Sequence, residues 1–136
     1  MRIGYAISNR NIIKNLYKFR PVYEVNGVGV HFALKVLDMD DMVENNCAEI
    51  DSGKNYLVRQ LEAMGLHPLK SYTNFVNIPV GANNVQKYVD AMKKCGILIK
   101  AGESSHPLLR ECIRITIGSK DIMREVVEVI RAVKND

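Results

Sequence analysis

One stretch of the sequence, residues 112–118 with the letters CIRITIG, constrains the fold more than any other. Its three isoleucines recur at every second position, and a period of two puts them on one face of a β-strand. Arg114 then points to the opposite face. Residues 119–136 carry apolar side chains at the i, i+3, i+4, i+7 spacing of an amphipathic helix. The pattern therefore predicts a strand that is followed at once by a helix packed on the sheet.

The sequence from about residue 40 onward predicts the elements around this strand, in the order α-β-α-β-β-α. The first is a helix over about 40–64 with its weak point at Ser52-Gly53, followed by an extended segment over 69–80 and a helix after residue 84. A short strand over 97–100, a loop over 101–111, the central strand and the last helix complete the order. The helix between the first two strands favours a right-handed parallel crossover, and the loop between the last two favours an antiparallel pair. The predicted fold class is α/β, a small open α/β sandwich with helices over one face of the sheet.

Residues 2–37 predict a short strand and two helices that do not belong to this sheet. Residues 2–7 look like a short strand, and a helix is expected to begin after Ser8 or Asn9 and to stop at Pro21. A second helix is predicted over about 30–37. These elements carry apolar side chains but no sheet of their own, so we expect them to form a helical arm that is only part of a larger structure.

The composition bounds the class of protein. A chain of 136 residues with 47% hydrophobic and 25% charged residues is typical of one globular domain. The sequence has no apolar run of about 20 residues and no secretory leader, so we expect a cytoplasmic protein without a membrane partner. The net charge of +4 is spread along the chain without a basic run, which argues against nucleic acid and suits an anionic small molecule. The three cysteines lack metal-ligand spacing, so no metal site is predicted, and they are expected to be reduced, buried or partly buried thiols.

Three polar side chains from three predicted strands are the candidate site. If the registers hold, Asn74, Lys100 and Arg114 lie on the face opposite the helices. Taken alone, Arg114 is more typical of a solvated or ion-paired strand residue. Together with Lys100, however, it predicts a surface that binds a carboxylate or a phosphate.

Five segments along the chain resemble one family. They are RIGYAISN, RPVYEVN, SYTNFV, GILIKAG and LRECIRITIGSKD, in this order and at compatible spacings. The sequence is similar to the C-terminal part of histidinol-phosphate aminotransferases, which are class I/II, fold-type I pyridoxal-phosphate enzymes. The resemblance implies that residues 38–136 form the small C-terminal domain, and that residues 1–37 are the end of the large domain and an interdomain helical arm. It also implies pyridoxal 5'-phosphate as cofactor, amino transfer between glutamate and a keto substrate, and a homodimeric parent enzyme.

The resemblance also implies roles for individual residues. Arg2 matches the arginine that binds the cofactor phosphate, and Arg114 matches the arginine that grips the substrate carboxylate. Lys100 stands where the family commonly has a second arginine, which keeps the charge but loses the planar fork. Asn74 falls in the N-F segment of the small-domain strand and is a candidate substrate-binding residue, although a hydrogen bond that orders the backbone is the more typical role for such a side chain.

The family's Schiff-base lysine lies upstream of the R-x-G-Y segment, so no catalytic residue is assigned within these 136 residues. The chain alone is therefore expected to be inactive. The alternative is a free-standing small-domain remnant, an anion-binding or protein-interaction module without catalysis. A methionine directly before that segment is compatible with a split gene or an internal start as well.

Overall fold

A computed structural model describes residues 3–22, 24–102 and 106–135. The chain divides into two compact units, Met1–Glu44 and Asn45–Asp136. The division falls within one long helix, Asp40–Ala63.

The described residues of the first unit form two complete helices before the long helix begins. Helix α1 spans Arg10–Leu16 and continues into a 3₁₀ turn, Tyr17–Phe19; helix α2 spans Gly27–Leu37. Both begin at an asparagine whose side-chain oxygen accepts backbone N–H groups, Asn9 for α1 and Asn26 for α2. The two predicted helices are thus confirmed.

The strand predicted over residues 2–7 is wrong for the part that the structure describes. Ile3 to Asn9 lie in no regular element, and residue 2 is outside the described residues. The physical reason is pairing: a strand needs a neighbour for its backbone N–H and C=O groups, and the described residues of this unit form no other strand.

Apolar side chains of the first unit are largely exposed. Three of its large apolar residues, Ile3, Ile13 and Val36, are half-buried. The others that the structure describes are between 43% and 90% exposed, and include Tyr5, Ile7, Phe19, Val22, Val28, Phe32 and Leu37. Within this unit the buried residue of α2 is Gly29, which packs beside Ile3. The helices of this unit therefore lack the apolar burial that usually stabilises a helix.

Helix α3, Asp40–Ala63, runs without interruption, so the predicted weak point at Gly53 is wrong. Gly53 is buried, and a Cβ atom there would lie 2.1 Å from the carbonyl oxygen of Gly118. The glycine lets two backbones approach closely, and that approach offsets its poor helix propensity.

In the described part of the second unit, the sheet has three strands in the order β1-β3-β2. Strand β1 spans Phe75–Pro79, β2 spans Lys100–Ala101 and β3 spans Cys112–Thr116. Both neighbouring pairs are antiparallel, which confirms the predicted pairing of the last two strands. The expected parallel crossover is also present, because β1 and β2 run in the same direction in one sheet and the helix Val85–Lys94 connects them. Strand β3 lies between the two, and the right-handedness of the crossover stays a prediction. The strand predicted over 97–100 is shorter and later than expected.

Helices cover one face of this sheet, as predicted. Helix α4 spans Val85–Lys94 and α5 spans Lys120–Asn135. The core combines residues of α3, α4 and α5 with one face of β1 and β3: Leu57, Leu61, Val76, Ile78, Val85, Tyr88, Met92, Ile113, Ile115, Ile117, Met123, Val126, Val127, Ile130 and Val133. The open α/β sandwich with elements in the order α-β-α-β-β-α is confirmed. Across the described ranges, no helix has the length and apolar character to cross a membrane.

Candidate functional site

Arg114 lies in the middle of the central strand, between two polar neighbours on the adjoining strands. The register pairs it with Asn77 of β1 on one side and with Lys100 of β2 on the other. Directly opposite residues of neighbouring strands point to the same face, so these three side chains share one surface. The adjacent residues Ile113 and Ile115 are buried in the core, which puts Arg114 on the face away from the helices.

The asparagine beside Arg114 is not the one that the sequence predicts. Asn74 was expected on the face of Arg114 and Lys100, and this placement is wrong. Strand β1 begins at Phe75, Asn74 is exposed just before it, and its backbone carbonyl accepts the N–H of Ile117 at 2.8 Å. The register puts Asn77 in the position expected of Asn74. Contact between Asn74 and a substrate stays a prediction.

Phe75 completes this surface beneath the arginine. The guanidinium carbon of Arg114 lies 5.0 Å from the centroid of the Phe75 ring, within cation–π range. Both side chains are half-buried. A cleft of about 420 Å³ opens here, lined by Phe75, Asn77, Lys100 and Arg114 from the three strands and by Gly102 and Leu109 from the following loop.

The described part of this loop is hydrogen-bonded to the first residue of β3. Gly102 donates its N–H to the carbonyl of Cys112 at 2.7 Å, and Cys112 donates its N–H to the carbonyl of Leu109 at 2.9 Å. A Cβ atom at residue 102 would lie 1.7 Å from the Leu109 oxygen, so only glycine fits this crossing. The loop thereby fixes Leu109 at the edge of the cleft.

The electrostatics of the cleft favour an anion. Among the described residues, no carboxylate oxygen lies within 4.0 Å of the cationic nitrogens of Lys100 or Arg114. Two like charges directly opposite each other on neighbouring strands repel and destabilise the pair. A carboxylate or phosphate between them would relieve that repulsion and accept hydrogen bonds from both.

The cysteines take no part in this chemistry. Cys112 is fully buried, and its thiol donates to the carbonyl of Leu108 at 3.3 Å. Burial raises the pKa of the Cys112 thiol, and the negative charge of Glu111 raises it further. The thiol is therefore a poor nucleophile. Cys47 and Cys95 are exposed, so the expectation that all three cysteines are buried or partly buried is wrong for these two.

The structure thus brings together two of the four predicted site residues, Lys100 and Arg114. Arg2 lies outside the described residues, and Asn74 lies beside the face rather than on it. Sequence reasoning missed Phe75 and Asn77 as members of the site. The signal was available: Val76 and Ile78 are the apolar members of the same strand, so their neighbours must face away from the core.

The sheet and its single layer of helices have the fold of a known family. The chain matches the family described as aminotransferase class I and II over residues 1–130. The chain belongs to this family, and the resemblance seen in the sequence is confirmed.

Particular relatives are similar across most of the chain. A histidinol-phosphate aminotransferase of Neisseria gonorrhoeae is 35% identical over 135 residues, which cover 96% of this chain and 36% of that enzyme. The corresponding enzyme of Chromobacterium violaceum is 38% identical over 125 residues, 89% of this chain and 34% of its own length.

A solved structure shares the fold. The crystal structure of a histidinol-phosphate aminotransferase from Sinorhizobium meliloti, in complex with pyridoxal-5'-phosphate, superposes with a TM-score of 0.76 at 26% identity. The match covers 92% of this chain and 34% of that one. The chain thus spans about a third of the length of the relatives that it matches.

Proposed function

We propose that this chain forms the substrate-carboxylate side of a pyridoxal-phosphate aminotransferase of the histidinol-phosphate type. The observation that carries the proposal is the position of Arg114, half-buried at the centre of the sheet with Asn77 and Lys100 on either side. In the proposed reaction an amino group moves between glutamate and a keto substrate. Arg114 binds the α-carboxylate of the amino donor, because a guanidinium offers two parallel N–H donors to the two carboxylate oxygens.

Lys100 is proposed to bind an anionic group at the other end of a substrate. Its register opposite Arg114 supports this role, since the two cations face the same cleft. An ammonium group is a point charge on a flexible stem, so it attracts a carboxylate or phosphate without imposing a fixed plane. The pair suits substrates that carry two negative groups, such as glutamate or a phosphorylated amine.

The described cleft fits the carboxylate of a substrate but does not by itself fit the cofactor ring. Pyridoxal phosphate, when bound, supplies an electron sink, and its pyridine nitrogen needs a partner group. The described residues that line the cleft include no carboxylate, and their one aromatic ring lies against Arg114. We assign Arg2 to the cofactor phosphate on the family resemblance alone, and none of the lysines in these 136 residues to the Schiff base.

The domain assignment follows from the same proposal. Residues 38–136 would be the small C-terminal domain, and residues 1–37 the end of the large domain with the interdomain arm. The extensive exposure of apolar side chains among residues 3–44 supports a role in packing against further protein. The parent enzyme is proposed to be a cytoplasmic homodimer.

A chimeric enzyme tests this function. The 135 matching residues of the Neisseria gonorrhoeae enzyme are replaced by this chain, and amino transfer from histidinol phosphate to α-ketoglutarate is measured. Activity above that of a chimera carrying Arg114→Ala supports the proposal. A chimera that binds pyridoxal phosphate, shown by its visible absorbance, yet does not transfer amino groups would contradict it.

The alternative function, an anion-binding module without catalysis, gives a different pattern. Both functions predict that the isolated chain binds α-ketoglutarate or phosphate through the Arg114 cleft, but under the alternative the loaded chimera would stay inactive. A second measurement treats the isolated chain with pyridoxal phosphate and borohydride and determines whether any lysine is labelled. Our proposal expects no stoichiometric labelling of any one lysine, because none has the family position.

A further inference from the structure

The contact between Phe75 and Arg114 bears on the orientation of the Arg114 side chain. The two residues are diagonal neighbours on β1 and β3, since Phe75 pairs with Thr116 and Asn77 pairs with Arg114. Diagonal neighbours are within reach of each other when one side chain is long and the other aromatic. The guanidinium carbon accordingly lies 5.0 Å from the ring centroid.

Few other contacts with the described residues restrain the Arg114 guanidinium. Within residues 3–22, 24–102 and 106–135, the Arg114 side chain has no carboxylate partner and donates no hydrogen bond. Lys100, directly opposite, repels it. A long side chain in this position would otherwise sample several rotamers, and binding a carboxylate would then have to overcome the loss of that freedom.

Phe75 itself is firmly anchored. Its backbone carbonyl accepts hydrogen bonds from the hydroxyls of Ser71 and Thr73, the latter at 3.2 Å. Its N–H is 3.4 Å from the Thr73 hydroxyl, and the strand register with β3 fixes the residue on its other edge. These bonds fix the backbone from which the Phe75 ring projects towards the guanidinium.

The geometry points to Phe75 as a positioning residue that holds the Arg114 guanidinium in the orientation needed to bind a substrate carboxylate. This inference rests on the proposed function of Arg114. Phe75 does not touch the carboxylate in this arrangement. It limits the rotamers of Arg114 before the ligand arrives, so its loss weakens binding by making Arg114 less ordered.

The test uses NMR of the isotope-labelled full chain, with α-ketoglutarate as the probe. The arginine Nε–H signal of residue 114 is assigned by its disappearance in Arg114→Lys. In the wild type we expect a ring-current shift of this signal, lost in Phe75→Leu and in Phe75→Met and kept in Phe75→Tyr. The affinity for α-ketoglutarate should fall by about two- to fivefold in the Leu and Met variants, the range of an exposed cation–π contact, and should be retained in the Tyr variant.

A matched control is Phe32→Leu, which removes an exposed ring of α2. It should change neither the Arg114 signal nor the affinity. Equal affinity of wild type, Phe75→Leu and Phe75→Met would overturn the inference, and so would a wild-type signal without a ring-current shift or without a response to α-ketoglutarate. None of these measurements depends on turnover, so they are separate from the activity of the chimera, which decides the proposed function.

Discussion

Gly53 in the middle of α3 lies against the backbone carbonyl of Gly118, which follows β3. A Cβ atom on residue 53 would stand 2.1 Å from that oxygen and 3.3 Å from the Gly118 carbonyl carbon. The Gly118 oxygen belongs to the backbone and not to a flexible side chain, so moving it away would disturb the main chain. This contact fixes how closely α3 packs beside the strand that carries Arg114.

The substitution Gly53→Ala should therefore destabilise the second unit. Alanine is favoured over glycine by about 1 kcal/mol in an open helix, but overpacking costs about 1–3 kcal/mol and more against rigid backbone. We expect a net loss on the order of 2 kcal/mol in the free energy of unfolding, measured by urea denaturation. Ser52→Ala, at the exposed neighbouring position, is the control and should change stability by less than about 0.5 kcal/mol. A Gly53→Ala protein as stable as this control would show that the close approach is absent.

The strongest periodicities in the sequence predicted the structure well. The last helix has its apolar residues at helical spacing, and Met123, Val126, Val127, Ile130 and Val133 are all buried. The alternation around Arg114 likewise gave the correct strand and the correct face. These patterns are local and repeat several times, so a single sequence is enough to interpret them.

Features that depend on distant partners were not predictable in this way. The position of β3 between β1 and β2 is set by pairing across the sheet, whereas the crossover rule considers only consecutive strands. Asn74 is a different case, because it precedes the buried Val76 by two positions and alternation therefore does not put it on the outward face with Phe75 and Asn77. The burial of Gly53 could not be predicted either, because it depends on a carbonyl more than sixty positions away in the sequence.

The three cysteines should differ in reactivity. Cys47 and Cys95 are exposed, whereas burial raises the pKa of the Cys112 thiol above its ordinary value. Because the thiolate is the reactive form, a disulfide reagent at mildly alkaline pH should modify two thiols quickly and the third slowly. Raising the pH should speed the slow reaction only above the ordinary thiol range, and unfolding in urea should abolish the difference. Rapid modification of all three thiols in the folded chain would contradict the burial of Cys112, and Cys112→Ser identifies the slow one.

Lys100 should make the chain respond to anions. Without an anion, Lys100→Gln removes the repulsion opposite Arg114, so stability should be unchanged or higher by about 0.2–1 kcal/mol. Inorganic phosphate should raise the thermal unfolding midpoint of the wild type more than that of Lys100→Gln, because an anion binds the folded cleft. Lys87→Gln, at an exposed position of α4, controls for the lower net charge and should respond like the wild type. An equal phosphate effect in all three proteins would remove Lys100 from the site.

Arg114 should matter for substrate binding far more than for stability. Arg114→Ala removes a side chain that is outside the core, so the unfolding midpoint should hardly change. Hydrogen bonds to charged groups contribute about 1.5–3 kcal/mol each, so kcat/KM of the chimera for the dicarboxylate should fall at least about tenfold. Arg114→Lys should not restore it, because the two-pronged contact with the carboxylate is lost. Arg124→Ala, which breaks only an exposed ion pair with Asp121 on α5, is the matched control and should leave the kinetics unchanged. If the chimera turns over normally with either substitution at residue 114, Arg114 is not the carboxylate-binding residue, and the proposed site on this face of the sheet is wrong.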